Sequence, residues 1–199
     1  MFVAALAEEL EAEIIEDELE LIRYLLNEAE AVEWVESGEH IFETVNRNGE
    51  VVRLTTKLER VPSPIESRSW SLENWNRTTH VLSPGNWNYT LGWSSPTAGD
   101  IALHIGFRLH RNPNSGVLLI DATSVQSRVN RSPANFATAA WVPTRSGHAS
   151  TLANYSGIFE HRSNVWGFPS RFHLISVEVS SFGQGNQIKF TNDLLIWRP

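Results

Sequence analysis

The sequence predicts an α+β chain in which a long acidic amphipathic helix and a β-hairpin precede an antiparallel, jelly-roll-like β-sandwich. Three observations predict it. From Ala4 to about Glu36 there is no Pro or Gly, and apolar residues recur at helical spacing. Asp100 to Ala122 alternates and then turns as a hairpin does. From Ser67 onward, short β-prone segments recur between clusters of turn residues.

The helix is predicted from Leu6, Leu10, Ile14, then Leu21, Leu25, Ala29 and Val32, which follow three- and four-residue steps. Ile15, Leu19, Ile22 and Leu26 widen this stripe. Asp17 and Glu18 interrupt it, which suggests a bend or two helices. Ser37-Gly38 is the expected stop, with Gly38 in a left-handed cap. So broad a stripe needs a partner surface. Leu6, Leu10, Ile14, Leu21 and Leu25 are therefore the candidate oligomerisation residues, in a homo-oligomer, although the heptad is too irregular for a clean coiled coil.

Ile41–Val45 and Val51–Thr56 flank Asn46-Arg47-Asn48-Gly49, which predicts a hairpin with a two-residue type I′ turn at Asn48-Gly49. Val61-Pro62-Ser63-Pro64 cannot sit inside a sheet. The expected organisation is accordingly residues 1–61 as an acidic assembly segment, 62–66 as a Pro-containing linker and 67–199 as a β-sandwich binding domain.

Within that body, Leu103, Ile105, Phe107 and Leu109 alternate with His104, Gly106, Arg108 and His110, the pattern of a strand with one buried face. Asn112–Gly116 supplies the turn and Val117–Ile120 the return strand. Other expected strands are Arg68–Trp75, Asn88–Trp93, Phe136–Val142, Gly157–His161, Phe172–Ser180, Gln187–Phe190 and Leu194–Trp197.

Charge divides the chain. The net charge is −7, yet residues 1–45 carry −13 and residues 46–199 carry +6. An acidic front on a mildly basic body suggests electrostatic docking of one on the other, or on a neighbouring subunit. The absence of cysteine removes disulfides, thiol chemistry and Cys-based metal sites, and fits a cytosolic origin. The start lacks a basic n-region and turns acidic at once, so no signal peptide is expected. Synthesis in the cytoplasm, with a place in a larger particle, is compatible with this. No apolar run is long enough for a transmembrane helix.

Catalytic chemistry finds little support. There is no GxSxG elbow, no P-loop and no dinucleotide fingerprint, and the nine acids of the body are scattered. No catalytic residue, metal ligand or cofactor is expected. The isolated histidines His80, His148, His161 and His173 could form a site only if the fold assembles one. Asp121 ends a buried strand, where a carboxylate caps a turn more often than it catalyses. Nucleic acid is not expected as a partner, because the basic residues form no cluster.

The aromatic residues carry the functional expectation. Trp75, Trp87, Tyr89, Trp93 and Trp166 stand in Asn-, Ser- and Gly-rich company, which suits stacking on sugar rings beside hydrogen-bonding amides. With Arg108 they form the candidate ligand-binding set. The expectation is a non-enzymatic, oligomeric structural or attachment protein of capsid or phage type that recognises a surface ligand such as a glycan. The alternatives are a membrane-active cytolysin with a detachable amphipathic helix, which no motif supports, and a hydrolase.

Overall fold

The computed structural model describes residues 2–30, 37–61, 82–164, 170–182 and 187–197. One helix, α1 (Phe2–Glu30), is followed by ten strands: β1 (Gly38–Val45), β2 (Val51–Val61), β3 (Gly85–Ser95), β4 (Gly99–Arg111), β5 (Leu118–Arg131), β6 (Phe136–Ala140), β7 (Thr144–Ser146), β8 (Leu152–Ser163), β9 (Arg171–Phe182) and β10 (Gln187–Trp197). They form two five-stranded antiparallel sheets, ordered β1-β2-β3-β4-β5 and β10-β9-β8-β6, with β7 also paired to β8. This is the expected α+β, sandwich-like arrangement. Its connectivity is not that of a jelly roll. Short turns such as 112–117 return the chain at once, so strands adjacent in sequence become neighbours in the sheet.

The sheets share one core. Leu54 and Leu58 of β2, Tyr89, Leu91 and Trp93 of β3, and Leu103, Ile105, Phe107 and Leu109 of β4 face Tyr155 and Phe159 of β8 and Ile175, Val177 and Val179 of β9. The alternation read along β4 is the burial pattern observed: its apolar residues are buried, while Arg108 is exposed and His104 and His110 half-exposed. Gln187–Phe190 and Leu194–Trp197 prove to be one strand, β10. The segment Arg68–Trp75 lies outside the described residues.

The two sheets meet along two seams. On one side β5 packs against β6, β7 and β8. There the Ile120–Ser150 bridge and the Ala122 N–H to Gly147 carbonyl bond (2.9 Å) tie the β7–β8 loop to β5. A bulge opposite Gly106/Phe107 places the Thr123 carbonyl within reach of the Arg145 guanidinium. On the other side α1 lies against β10, β1 and β2 and covers the remaining seam.

The front is integrated with the sandwich. β2 pairs with β3 from Arg53↔Ser94 to Val61↔Asn86, so the hairpin is built into the first sheet. Ile22, Leu25 and Ala29 of α1 are buried in the common core, with Ile15, Leu19, Leu21 and Leu26 packed against it. Residues 62–66, the expected linker, lie outside the described residues. The helix is one element, with no break at Asp17-Glu18. Gly38 opens β1 in place of capping α1 in a left-handed conformation. The β1–β2 turn also differs from the expected type I′: Gly49 alone has positive φ (76°). Gly49 N–H donates to the Asn46 carbonyl, and the Asn46 side chain accepts from the N–H groups of Asn48 and Glu50. A three-residue turn with one left-handed glycine satisfies the backbone with less strain than two positive φ angles.

Among the described residues, Arg47 carries electrostatic docking between the helix of the acidic front and the hairpin tip. Arg47, at the hairpin tip, pairs with Glu13 at 3.0 Å and Asp17 at 2.6 Å. These are exposed pairs of about 0–1 kcal/mol, whereas each large apolar side chain buried from α1 contributes about 1.5–3 kcal/mol. Apolar burial thus holds the helix. Leu25→Ala should lower unfolding stability by about 2–5 kcal/mol, read as a shifted urea midpoint. A loss below about 1 kcal/mol would show that the helix is not part of the cooperative core.

Candidate functional site

Strand periodicity decides which aromatics can meet a ligand. On β3, Trp87, Tyr89, Leu91 and Trp93 share the inward face, while Asn86 and Asn88 point out. Trp87, Tyr89 and Trp93 are all buried and are not available for stacking on a ligand. Their polar atoms are used internally. Trp87 Nε1–H donates to the Ser83 carbonyl (3.0 Å), and the Tyr89 hydroxyl donates to Asn192 Oδ1 (3.1 Å), with its ring stacked on Phe190. Burial pushes the Tyr89 phenol well up from its ordinary pKa. Arg108 is exposed on the outer face of β4. Trp75 and Trp166 lie outside the described residues.

Of the candidate oligomerisation residues, Leu25 is fully buried and Leu21 packs on the core, so both are used within the chain. Ile14 is half-buried and Leu10 is 60% exposed. Leu6 lies in α1, with its side chain outside the described residues.

Trp93 leads to the most unusual feature, a buried polar chain from α1 across both sheets. Glu18 is almost fully buried. Its Oε1 accepts from Trp93 Nε1–H (3.0 Å) and the Ser95 hydroxyl (2.5 Å), and its Oε2 accepts from the Thr97 hydroxyl. His173 Nε2 approaches Oε1 at 3.4 Å. His173 Nδ1 then lies 2.9 Å from His161 Nε2, and His161 Nδ1 lies 2.9 Å from Thr138 Oγ1. The residues that interrupt the helical stripe are therefore accounted for: Asp17 meets Arg47, and Glu18 enters the core.

Three donors on one carboxylate favour its ionised form. Burial alone would raise the Glu18 pKa, but the charge and hydrogen bond of His173, with the Ser95 and Thr97 hydroxyls, outweigh it and hold the pKa at about 2. For His161, burial and then the charge of His173 depress the pKa to about 3, Glu18 opposing them and Arg171 adding the least. His161 is thus neutral at pH 7 and accepts or relays a hydrogen bond without charge. The chain resembles a catalytic relay in composition. Yet Glu18, His161 and His173 are sealed from solvent and open onto no described pocket. They act as an internal clamp. Period-two reading offered a signal for the histidines: His161 is in phase with Tyr155 and Phe159, and His173 with Ile175 and Val177.

A group of partly exposed aromatics lies on the outer face of the second sheet. Trp197 of β10 is the direct cross-strand partner of Phe172 on β9. Their rings are 5.4 Å apart and inclined by 18°. Trp141, after β6, meets Phe172 edge-on at 5.8 Å and 88°. Trp141 is 49% exposed, Val142 92% and Trp197 37%, and Leu195 adds a further exposed apolar side chain. Beside them Glu160 accepts from Trp141 Nε1–H (3.2 Å) and from Arg162 Nε–H and Nη2–H (2.8 and 3.0 Å). The Arg162 hydrogen bond, opposed by partial burial, lowers the Glu160 pKa, so this carboxylate is ionised at neutral pH. Farther along the same sheet, Thr144, Arg145, Ser156, Ser176, Glu178 and Asp193 help line an open groove of about 480 Å³.

Asp121 lies within β5 and secures the β7–β8 loop: Oδ1 accepts from Ala149 N–H (2.6 Å) and lies 3.0 Å from His148 Nδ1, and Oδ2 lies 3.3 Å from His110 Nδ1. Among the described residues, no group of three His, Cys, Asp or Glu is placed to hold a metal ion, and no helix is long and apolar enough to cross a membrane.

The clamp makes stability depend on pH with a definite sign. The unfolded chain protonates His161 near pH 6.5 and Glu18 near 4.5, and the folded chain near 3 and 2 respectively. Between those values the unfolded state binds more protons, so the stabilisation is full above about pH 6.5 and is lost as pH falls toward 3 and then 2. The His161 contribution alone should cost about 1.4 kcal/mol per pH unit over the upper part of that range. Urea unfolding from about pH 7 to about pH 4 should show this slope, and His161→Phe should flatten it above about pH 4.5. Equal slopes in the two proteins would remove His161 as the cause. Glu18→Ala, which leaves His173 and Trp93 without their acceptor, should cost about 3–5 kcal/mol at neutral pH in the same assay.

No protein-family model, curated protein or solved structure matches this chain at a significant level.

Proposed function

We propose that the protein is a non-enzymatic binding and structural protein that uses the outer face of its second sheet, at Trp141, Phe172 and Trp197, to recognise a surface ligand such as a glycan. The observation that carries this reading is the row of partly exposed aromatic rings beside an ionised Glu160–Arg162 pair. Aromatic faces stack on the C–H-rich faces of sugar rings, and a fixed carboxylate and guanidinium hydrogen-bond hydroxyls. Cross-strand pairing holds Phe172 and Trp197 in place before any ligand arrives, which reduces the entropy lost on binding.

The same reading favours binding over catalysis. Glu18, His173 and His161, whose arrangement resembles an acid–base relay, lie in the sealed clamp. A role in a homo-oligomer would draw on residues such as Leu10 and Tyr24, which α1 leaves exposed, because Leu25 is committed to the chain's own core. The membrane-active alternative would require α1 to withdraw Ile22, Leu25 and the Glu18 clamp from that core.

Screening the intact chain on a glycan array should identify bound saccharides. Trp141→Ala and Trp197→Ala should each weaken their affinity about tenfold, or about 1.4 kcal/mol, with little change in melting temperature because both side chains are partly exposed. Trp93→Phe, an interior change, should leave affinity within about twofold. Saccharide binding unchanged in the Trp141/Trp197 double variant would overturn the assignment of this face, and an array with no bound saccharide would overturn the glycan reading.

A further inference from the structure

The outer face of the second sheet changes character along its strands. At one end Glu160, Phe172 and Trp197 are cross-strand partners on β8, β9 and β10. The next row is apolar, formed in the same way by Ile158, Leu174 and Leu195. Beyond it the face turns polar. Thr144, Ser156, Ser176 and Asp193 are partners in register across β7, β8, β9 and β10, and Ser146, Asn154, Glu178 and Thr191 form the row after that. On β8, β9 and β10 these polar residues lie out of phase with the buried Tyr155, Val177 and Leu194, so strand alternation sends them to the outer face together.

Both polar rows line the open groove of about 480 Å³. The groove is thus continuous with the aromatic end of the sheet. At about 3.4 Å per residue, the step from Trp197 to Thr191 spans roughly 20 Å of β10. The Thr144 and Ser156 hydroxyls are 2.7 Å apart and hold each other in place. Arg145 also lines the groove, its Nη1–H donating to the Thr123 carbonyl. Serine and threonine hydroxyls both donate and accept, and a carboxylate can accept from two ligand hydroxyls. Short side chains also lose less rotamer freedom than Lys or Arg when a ligand fixes them. A sugar ring offers a C–H face to the first kind of surface and a rim of hydroxyls to the second. A ligand that touches both ends must be a chain of several such rings.

We propose that the groove extends the aromatic site, and that the ligand is a linear oligosaccharide laid along the strands. Its rings lie on Trp141, Phe172 and Trp197 at one end, and its hydroxyls meet Ser176, Glu178, Thr191 and Asp193 at the other. The proposal rests on the reading of the aromatic face as a saccharide site and adds the ligand class, a sugar chain in place of a single terminal sugar.

The test is calorimetric titration of the full chain with cello-, chito- and malto-oligosaccharides, from disaccharide to hexasaccharide. In a series that binds, the hexasaccharide should bind about tenfold more tightly than the disaccharide. Glu178→Ala/Asp193→Ala should cut that advantage to about threefold or less. Disaccharide affinity and melting temperature should stay unchanged in this double variant, because Asp193 is exposed and Glu178 half-exposed. Trp197→Ala should weaken every length. In amide NMR spectra the hexasaccharide should shift residues 154–156, 176–178 and 191–193, which the disaccharide leaves in place. Affinity that does not rise with length, or a length gain that the double variant keeps, would overturn the groove as a subsite and leave the aromatic site standing. Absence of binding in all three series would also overturn the proposal, and the aromatic face would then stand or fall on its own array screen.

Discussion

Burial of the Glu18 carboxylate is the constraint on which the architecture depends. A carboxylate that enters a core must be met by donors, and here those donors come from three separate parts of the chain: Trp93 and Ser95 on β3, Thr97 in the following turn, and His173 on β9. Each of these groups can satisfy Glu18 only if α1, the first sheet and the second sheet sit in one relative position. Apolar burial of Ile22, Leu25 and Ala29 supplies most of the attraction. Direction comes from the polar chain, because an apolar stripe alone would tolerate rotation or sliding of the helix.

The two seams between the sheets are closed by different means. Along β5 the backbone does it, through the Ile120–Ser150 bridge and the Asp121 cap on the β7–β8 loop. Along β1, β2 and β10 a helix does it. The acidic N-terminal segment is thereby an internal component of the sandwich, with Glu18 in the core and Glu13 and Asp17 held by Arg47. Outside this buried centre, side chains such as Arg108 on the first sheet and Trp197 on the second are exposed.

The outer faces differ in chemistry. The second sheet presents Trp141, Phe172 and Trp197 in a row, and the first presents Arg108, His110 and Arg111 at one end. Phe172, Trp197, Arg108 and His110 lie out of phase with the buried residues of their own strands, as side chains of a two-faced sheet must, whereas Arg111 is in phase with Leu109 at the end of β4. The ring set and the cations therefore belong to different sheets of this scaffold.

The sequence by itself determined the helix, the hairpins and the inward faces of the strands, because these are local: helical spacing, turn residues and alternation each act within a few residues. It even contained the fate of Trp87, Tyr89 and Trp93, which fall in phase with Leu91, although their Asn-rich neighbours suggested a surface. Only the tertiary structure decided that Asp17 and Glu18 do not break the helix, that the hairpin joins the sandwich, and that Glu18, His173, His161 and Thr138 meet. Those residues are separated by up to 155 positions along the chain, and nothing in local pattern records which strand will lie beside which. The exposed row of Trp141, Phe172 and Trp197 has the same origin. Each ring was legible as aromatic, but their adjacency follows from the register of β9 with β10 and from the course of the chain after β6.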